Sequence, residues 1–194
     1  MFHETSLIFC DYSKPHISDI NNGWGREFYD FNLPKLLIEL KTMNLKIIFR
    51  ASKNSDSELI QSFQLAMALE TEQLKLDPLV LEKGVNAVFA NPHLGTYHVC
   101  EVDSQVIGSL LLTNEWSDWR NGTVWWIHSL YFQPEYRGQG LFSQMYQYVQ
   151  QLAQNQKDVR GIRLYVDHSN VHAQAVYTKL GMNGDHYRLF EWMR

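Results

Sequence analysis

Cysteine is scarce in this chain: Cys10 and Cys100 are the two among 194 residues. Two distant thiols supply neither a disulfide framework nor a zinc-ligand spacing. Positive charge is also in deficit, since 17 Lys and Arg stand against 21 Asp and Glu, a formal net charge of −4. With no Lys/Arg stripe either, the chain has no general electrostatic footing for nucleic acid or an anionic membrane, which leaves room only for a local basic patch. No run of about 18 apolar residues occurs, so no membrane span is expected. The start MFHETSLIFCDYSK carries Glu4 and no extended apolar stretch, so it does not read as a secretory signal. The expected compartment is the cytoplasm. What is present is ordinary for a soluble domain: 45% hydrophobic and 20% charged residues, with length enough for one sizeable core.

Residues 1–44 differ from the rest. DYSKPHISDINNGWGREFYDFNLP has no sustained period and many Asn, Asp, Gly and Pro residues, which predicts irregular chain. LPKLLIELKTM predicts a short helix behind Pro34. The segment reads as an N-terminal extension, either an arm on the domain or sequence ahead of a start at Met43. From Leu45 to Arg194 the pattern becomes regular and predicts one α/β domain. LKIIFRA is a strand. SDSELIQSFQLAMALETE is a helix with Ser55 and Asp56 as N-cap candidates and Leu59, Phe63 and Met67 on one stripe. A second helix runs from Asp77-Pro78 to about Ala90. YHVCEV and QVIGSLLL are strands around an Asp103-Ser104 turn, and EWSDWRNG is a loop. TVWWIHSLYF, apolar on both faces, is a central strand. A helix follows Gly140, then the strand IRLYVD, the helix NVHAQAVYTKL closed by Gly181, and a last strand HYRLFEW. The order β-α-α-β-β-β-α-β-α-β mixes hairpins with crossovers and predicts a mixed sheet flanked by helices.

PEYRGQGLFSQMY sits where the central strand gives way to a helix. A glycine-rich entry exposes backbone N–H groups at a helix N-terminus, where the dipole favours an anion such as a pyrophosphate. Gly138 and Gly140 allow close backbone approach, and Arg137 can add charge-assisted hydrogen bonds. The competing reading is a tight turn that needs glycine for geometry alone. The stretch is neither a Walker loop nor a dinucleotide fingerprint.

LYFQPEYRGQGLF resembles the acetyl-CoA loop of the GNAT acyltransferase superfamily, Arg/Gln-x-x-Gly-x-Gly/Ala. Arg137 and Gly140 match, whereas Phe142 stands where Gly or Ala is usual. DHSNVHAQAVYTKLGM resembles the next family block through Asn170, Tyr177 and Leu180-Gly181-Met182. The resemblance covers about residues 45–194. It implies a central mixed, splayed sheet flanked by helices, acetyl-CoA as co-substrate with no metal, and direct attack of an amine on the thioester in a ternary complex. It also implies cofactor contacts from Leu130, Tyr131 and Phe132 in the fourth strand, from Arg137, Gly138, Gln139, Gly140, Leu141 and Phe142 in the loop, and from Asn170. Dimers are common in the family, so a homodimer is compatible with the resemblance.

Two residues are candidates for proton transfer. Tyr177 can donate to a departing thiolate, or be a core tyrosine of an amphipathic helix. His128 can serve as base, since an unperturbed imidazole titrates near neutral pH, or be a buried histidine held between Trp126 and Leu130. Glu115, Trp116, Asp118, Trp119 and Arg120 can receive a cationic amine by ion pairing and cation–π contact, or simply form a solvated hairpin loop. Glu70 and Glu72 can add negative charge there, or be a charged helix end. His168 and His172 lack a third ligand and are rejected as a metal pair. Tyr187 is a further candidate for the acceptor pocket. The expected activity is an N-acetyltransferase acting on a primary amine of a small molecule or peptide. The alternatives are a longer acyl-CoA as donor, or a CoA-binding module without turnover, for which Phe142 and the want of a clear base are the hints.

Overall fold

The computed structural model describes residues 45–193. The readings on residues 1–44, including the helix behind Pro34, the start at Met43 and Cys10, lie outside the described residues. The elements are β1 (Ile47–Ala51), α1 (Ser57–Glu72), α2 (Pro78–Ala90), β2 (Thr96–Val102), β3 (Gln105–Ser117), β4 (Gly122–Phe132), α3 (Leu141–Gln154), β5 (Val159–Leu164) and α4 (Val171–Lys179). They form one five-stranded sheet in the order β1-β2-β3-β4-β5. The first four strands are antiparallel and β5 is parallel to β4, which makes the sheet mixed, as expected.

Local chemistry sets the element ends. Asp103 and Ser104 both take positive φ, the twist that a two-residue hairpin needs between β2 and β3. Asp77 caps α2, its carboxylate accepting from the amides of Leu79 and Val80, with Pro78 at the first helical position. Asn170 caps α4 by accepting from the Ala173 amide, and Gly181 closes it at φ +84°. Asp56 precedes α1, but its carboxylate does not cap the helix. It pairs at 2.7 Å with Arg50, which also binds Glu101, so β1, β2 and the start of α1 are tied together.

Two apolar layers enclose the sheet. One face packs Ile107, Leu110, Ile127, Leu130 and Phe132 against Leu141, Phe142, Met145 and Val149 of α3 and Ala173 and Tyr177 of α4. The other packs Tyr97, Val99, Val106 and Tyr131 against Ile60 and Phe63 of α1 and Val85 of α2.

Three expectations are corrected. Strand β3 runs on through Glu115 and Trp116 to Ser117, because its polar end is held register by register to β4, with Glu115 opposite Val124 and Trp116 opposite Thr123. Only Asp118–Arg120 forms a turn, followed by Asn121 in the left-handed region. Strand β5 lies earlier than IRLYVD, since its parallel pairing with β4 begins at Val159 and ends at Leu164. The last strand is not formed: HYRLFEW has no partner strand in the described sheet, and its large side chains are exposed.

A buried histidine gives the fold a pH limit. His98 in β2 lies under α3, with Nδ1 3.0 Å from the Tyr148 hydroxyl. Burial lowers it from the ordinary 6.5 to about 4. The unfolded chain takes up this proton first, so the contribution to stability is whole above about pH 6.5. It is lost as pH falls through 4, roughly 3 kcal/mol in all. Urea midpoints read by circular dichroism should therefore fall across that window, and His98→Gln should remove that part of the slope.

Candidate active site

The site begins with a defect in β4. Ser109 pairs with Tyr131 and Leu111 with His128, so two steps of β3 oppose three of β4. The extra residue is a β-bulge, with Ser129 at φ +50°. The bulge reverses the alternation of side chains. Ile127 before it and Leu130 and Phe132 after it share the α3/α4 face, while Tyr131 joins the α1/α2 face.

The neighbouring strand stops at the same level. The last β4–β5 pair is Ile127–Leu164, and β4 continues to Phe132 with no parallel partner among the described residues. The strands therefore part, and the main chain of Leu130–Phe132 borders the wedge between them. Strand backbone in such a wedge can hydrogen-bond an extended amide-containing ligand as a further strand would.

The chain then passes through one 3-10 turn, Pro134–Tyr136, to the glycine loop. Gly138 and Gly140 both sit in the left-handed region, at φ +74° and +77°. Helix α3 starts directly after Gly140, which as a glycine offers no side-chain cap of its own. Among the described residues, a Cβ built on Gly140 would meet nothing within 4 Å. The Gln139 side chain folds back onto the Glu135 carbonyl. Leu141 and Phe142 turn inward, and Phe142 packs edge-to-face on Tyr177 with ring centroids 5.5 Å apart. The bulky residue thus fills core, not the mouth of the loop.

Arg137 is placed differently from the expectation that it faces the anion. Its Nε donates to the Phe132 carbonyl at 2.7 Å, its Nη2 pairs with Glu70 at 2.9 Å, and its guanidinium lies 5.0 Å over the Tyr131 ring. The Tyr131 hydroxyl donates to the other oxygen of Glu70. Glu70, read from sequence as an acceptor carboxylate, is therefore a clasp between the end of α1 and the loop. Glu72 lies half-buried in the last turn of α1. Asn170 spends a side-chain oxygen on capping α4.

Tyr177 is buried in the layer that also holds Leu130 and Phe132, and burial pushes its phenol far above the ordinary 10. It is a protonated donor at neutral pH. Cys100 is buried as well, its thiol pushed up to about 12, which leaves it no nucleophilic thiolate at that pH.

On the other face of the β4–β5 seam, His128 stacks on Trp126 at 6.1 Å, and Tyr165 lies tilted against Trp126 at 4.4 Å. Arg163 lies over Trp126 and pairs with Glu115 at 2.7 Å, and the indole N–H of Trp126 donates to the second Glu115 oxygen. Burial lowers the His128 pKa below the ordinary 6.5, so its ring is neutral at pH 7. The carboxylate of Glu115 is committed to Arg163 and Trp126. Trp116, Asp118, Trp119 and Arg120 stand at the far end of the β3–β4 hairpin, about 20 Å or more along β4 from the bulge at the strand rise. The structure does not bring those four to the wedge.

Trp126, Arg163 and Tyr165 were missed from sequence. The available signal was the two-residue period, Trp126 with His128 and Arg163 with Tyr165, which places each pair on one strand face. No group of three His, Cys, Asp or Glu among the described residues is arranged to hold a metal ion, and no described helix is long and apolar enough to cross a membrane.

Comparison with known proteins accords with this geometry. The family model described as Acetyltransferase (GNAT) family matches residues 60–182. A possible acetyltransferase from Clostridium difficile 630 is 37% identical, covering 76% of this chain and 97% of that one, with a TM-score of 0.71. A predicted acetyltransferase from Clostridium acetobutylicum, solved with acetyl-CoA, is 20% identical over 75% of this chain and 96% of that one, TM-score 0.60. Glucosamine-6-phosphate N-acetyltransferase from Arabidopsis thaliana is 14% identical over 77% and 99%, TM-score 0.58. No curated protein matches the sequence.

Proposed function

Since the chain belongs to the acetyltransferase (GNAT) family, we propose that it is an N-acetyltransferase that moves an acetyl group from acetyl-CoA to a primary amine. One observation carries the reading: the glycine start of α3, built on Gly138 and Gly140, lies next in the chain to the stretch of β4 that β5 leaves unpaired among the described residues. An anion site followed by a strand-like wedge suits a pyrophosphate joined to an amide-containing arm. The amides of the loop and the first turn of α3 hold the pyrophosphate. The main chain of Leu130–Phe132 holds the arm and polarises the thioester carbonyl. Acetyl-CoA supplies the activated acetyl group.

His128 accepts the proton that the amine loses as its nitrogen bonds to the acetyl carbon. Tyr177 hydrogen-bonds or protonates the sulfur as the carbon–sulfur bond breaks. The two act from opposite faces of β4, which suits an amine arriving on one side and a thiol leaving on the other. A binder without turnover loses one of its two hints, because the Phe142 side chain lies in the core; the other, the identity of the base, is what the turnover assay tests.

Calorimetry with acetyl-CoA, and adenosine diphosphate as control, tests the donor site. A panel of amines with detection of released thiol tests turnover. Absent binding would end the proposal, and binding with no thiol release from any amine would favour the module. For His128 the sign is fixed by its lowered pKa: the rate should fall on the acidic side at a pH below 6.5, where the ring becomes protonated. His128→Ala should flatten that limb and cost roughly a hundredfold in kcat/KM. A limb of unchanged shape would assign the proton to water instead.

A further inference from the structure

Trp116, Asp118, Trp119 and Arg120 stand about 20 Å or more from the bulge, so the surface that meets an amine at the wedge is a different one. Ile127–Leu164 is the last pair of β4 with β5, which makes His128 and Tyr165 the first residues beyond it, one on each parting strand. By the two-residue period they share a face with Trp126 and Arg163. The His128 and Tyr165 rings are 6.1 Å apart, and Trp126 stands behind both, 6.1 Å from the first and 4.4 Å from the second. All three are half-buried, so each keeps some ring surface open.

The charges around this cluster are nearly matched. Glu115 accepts from Arg163 and from the Trp126 indole, and the Arg163 guanidinium lies over the Trp126 ring and 6.0 Å from that of Tyr187. Glu191 is exposed and has no ion pair among the described residues. Burial raises the Tyr165 phenol above the ordinary 10, and Glu115 and Glu191 raise it further against the opposite pull of Arg163. Two carboxylates against one guanidinium leave a negative field at the rings. It admits an ammonium group and opposes a carboxylate or a phosphate.

Resting on the N-acetyltransferase reading, we infer that the acceptor is a primary amine joined by a short chain to an aromatic ring, with no anionic group, and that Trp126 and Tyr165 select it. The acceptor ring packs on the indole and the phenol. Aromatic pairs settle with centroids about 4.5–7 Å apart, the spacing already present within the cluster. The amine then lies beside His128, at the mouth of the wedge that holds the thioester. A saturated body of the same size fills this space without the ring-to-ring contact. An amino acid brings a carboxylate into a negative field, and an aliphatic diamine leaves the rings uncovered.

Thiol release from acetyl-CoA, measured with phenylethylamine, cyclohexylethylamine, phenylalanine and putrescine, tests the assignment. Phenylethylamine should show a kcat/KM about fivefold above its saturated counterpart, and at least about tenfold above phenylalanine and putrescine. Tyr165→Leu should erase the preference for phenyl over cyclohexyl with acetyl-CoA affinity kept. Tyr165→Phe retains the ring and should preserve that preference. Equal or faster turnover of cyclohexylethylamine, phenylalanine or putrescine by the parent overturns the inference and leaves the transferase reading standing. So does a leucine variant that keeps the preference, or a phenylalanine variant that loses it. Silence with every amine, in protein that binds acetyl-CoA, removes the transferase reading and the acceptor class with it.

Discussion

Gly140→Val should weaken acetyl-CoA binding about a hundredfold, close to 2.7 kcal/mol, while leaving a folded protein. Two effects combine. The residue sits at φ +77°, where a β-branched side chain costs on the order of 1–2 kcal/mol of backbone strain. In a chain of this length that corresponds to a melting temperature lower by about 5 °C. The second effect is steric. A Cβ at this position meets no atom of the described residues within 4 Å, so the added methyl groups do not disturb the described core. They project instead toward the approach to the α3 amides. Losing two hydrogen bonds to a charged group there, at about 1.5 kcal/mol each, accounts for the predicted loss. Adenosine diphosphate, which shares the pyrophosphate, should weaken in proportion. Gly140→Ala carries strain with the smallest side chain and should fall between. A folded Val variant that binds acetyl-CoA as tightly as the parent would remove this loop from the donor site.

How much of this was legible in the sequence depends on how local each cause is. The glycine loop, the Asp103-Ser104 turn, the helix start at Asp77-Pro78 and the Gly181 stop were readable because each is fixed by a few adjacent residues. The β4 bulge was not located. TVWWIHSLYF reads as an unbroken strand, and nothing at Ser129 marks the positive φ that reverses the faces. The end of β3 reads as a loop because Asn, Glu, Ser and Asp dominate it, yet cross-strand partners from Gly122 to Trp126 hold it in the sheet. The final segment errs the other way: its composition is that of a strand, but a strand also needs an edge. Side-chain destinations were the least legible. Arg137 and Glu70 lie in different elements, and only the fold makes them an ion pair. Arg163, Trp126 and Glu115 come together across three strands for the same reason.

Tyr177→Phe should reduce kcat by about a hundredfold, the low end for a proton donor, and leave acetyl-CoA affinity within about twofold. The substitution removes one oxygen and keeps the ring that packs against Phe142, so the layer holding Leu130 and Phe132 keeps its shape. A purely structural tyrosine would register instead in stability, about 1 kcal/mol for a lost buried hydrogen bond, with kcat preserved. The pH profile separates the two residues assigned to proton transfer. Burial holds the Tyr177 phenol protonated throughout the working range, so its loss should lower the plateau and leave the acidic limb in place. His128→Ala should alter the limb itself, because the imidazole changes charge there. A free thiol of pKa about 8.5 is a poor leaving group without a donor, so the phenylalanine variant should also become more sensitive to thiol acidity. Thioesters of more acidic thiols on the same pantetheine scaffold should recover most of the lost rate. An unchanged kcat in the variant, or a loss that no leaving group restores, would take Tyr177 out of the chemical step and return it to the core.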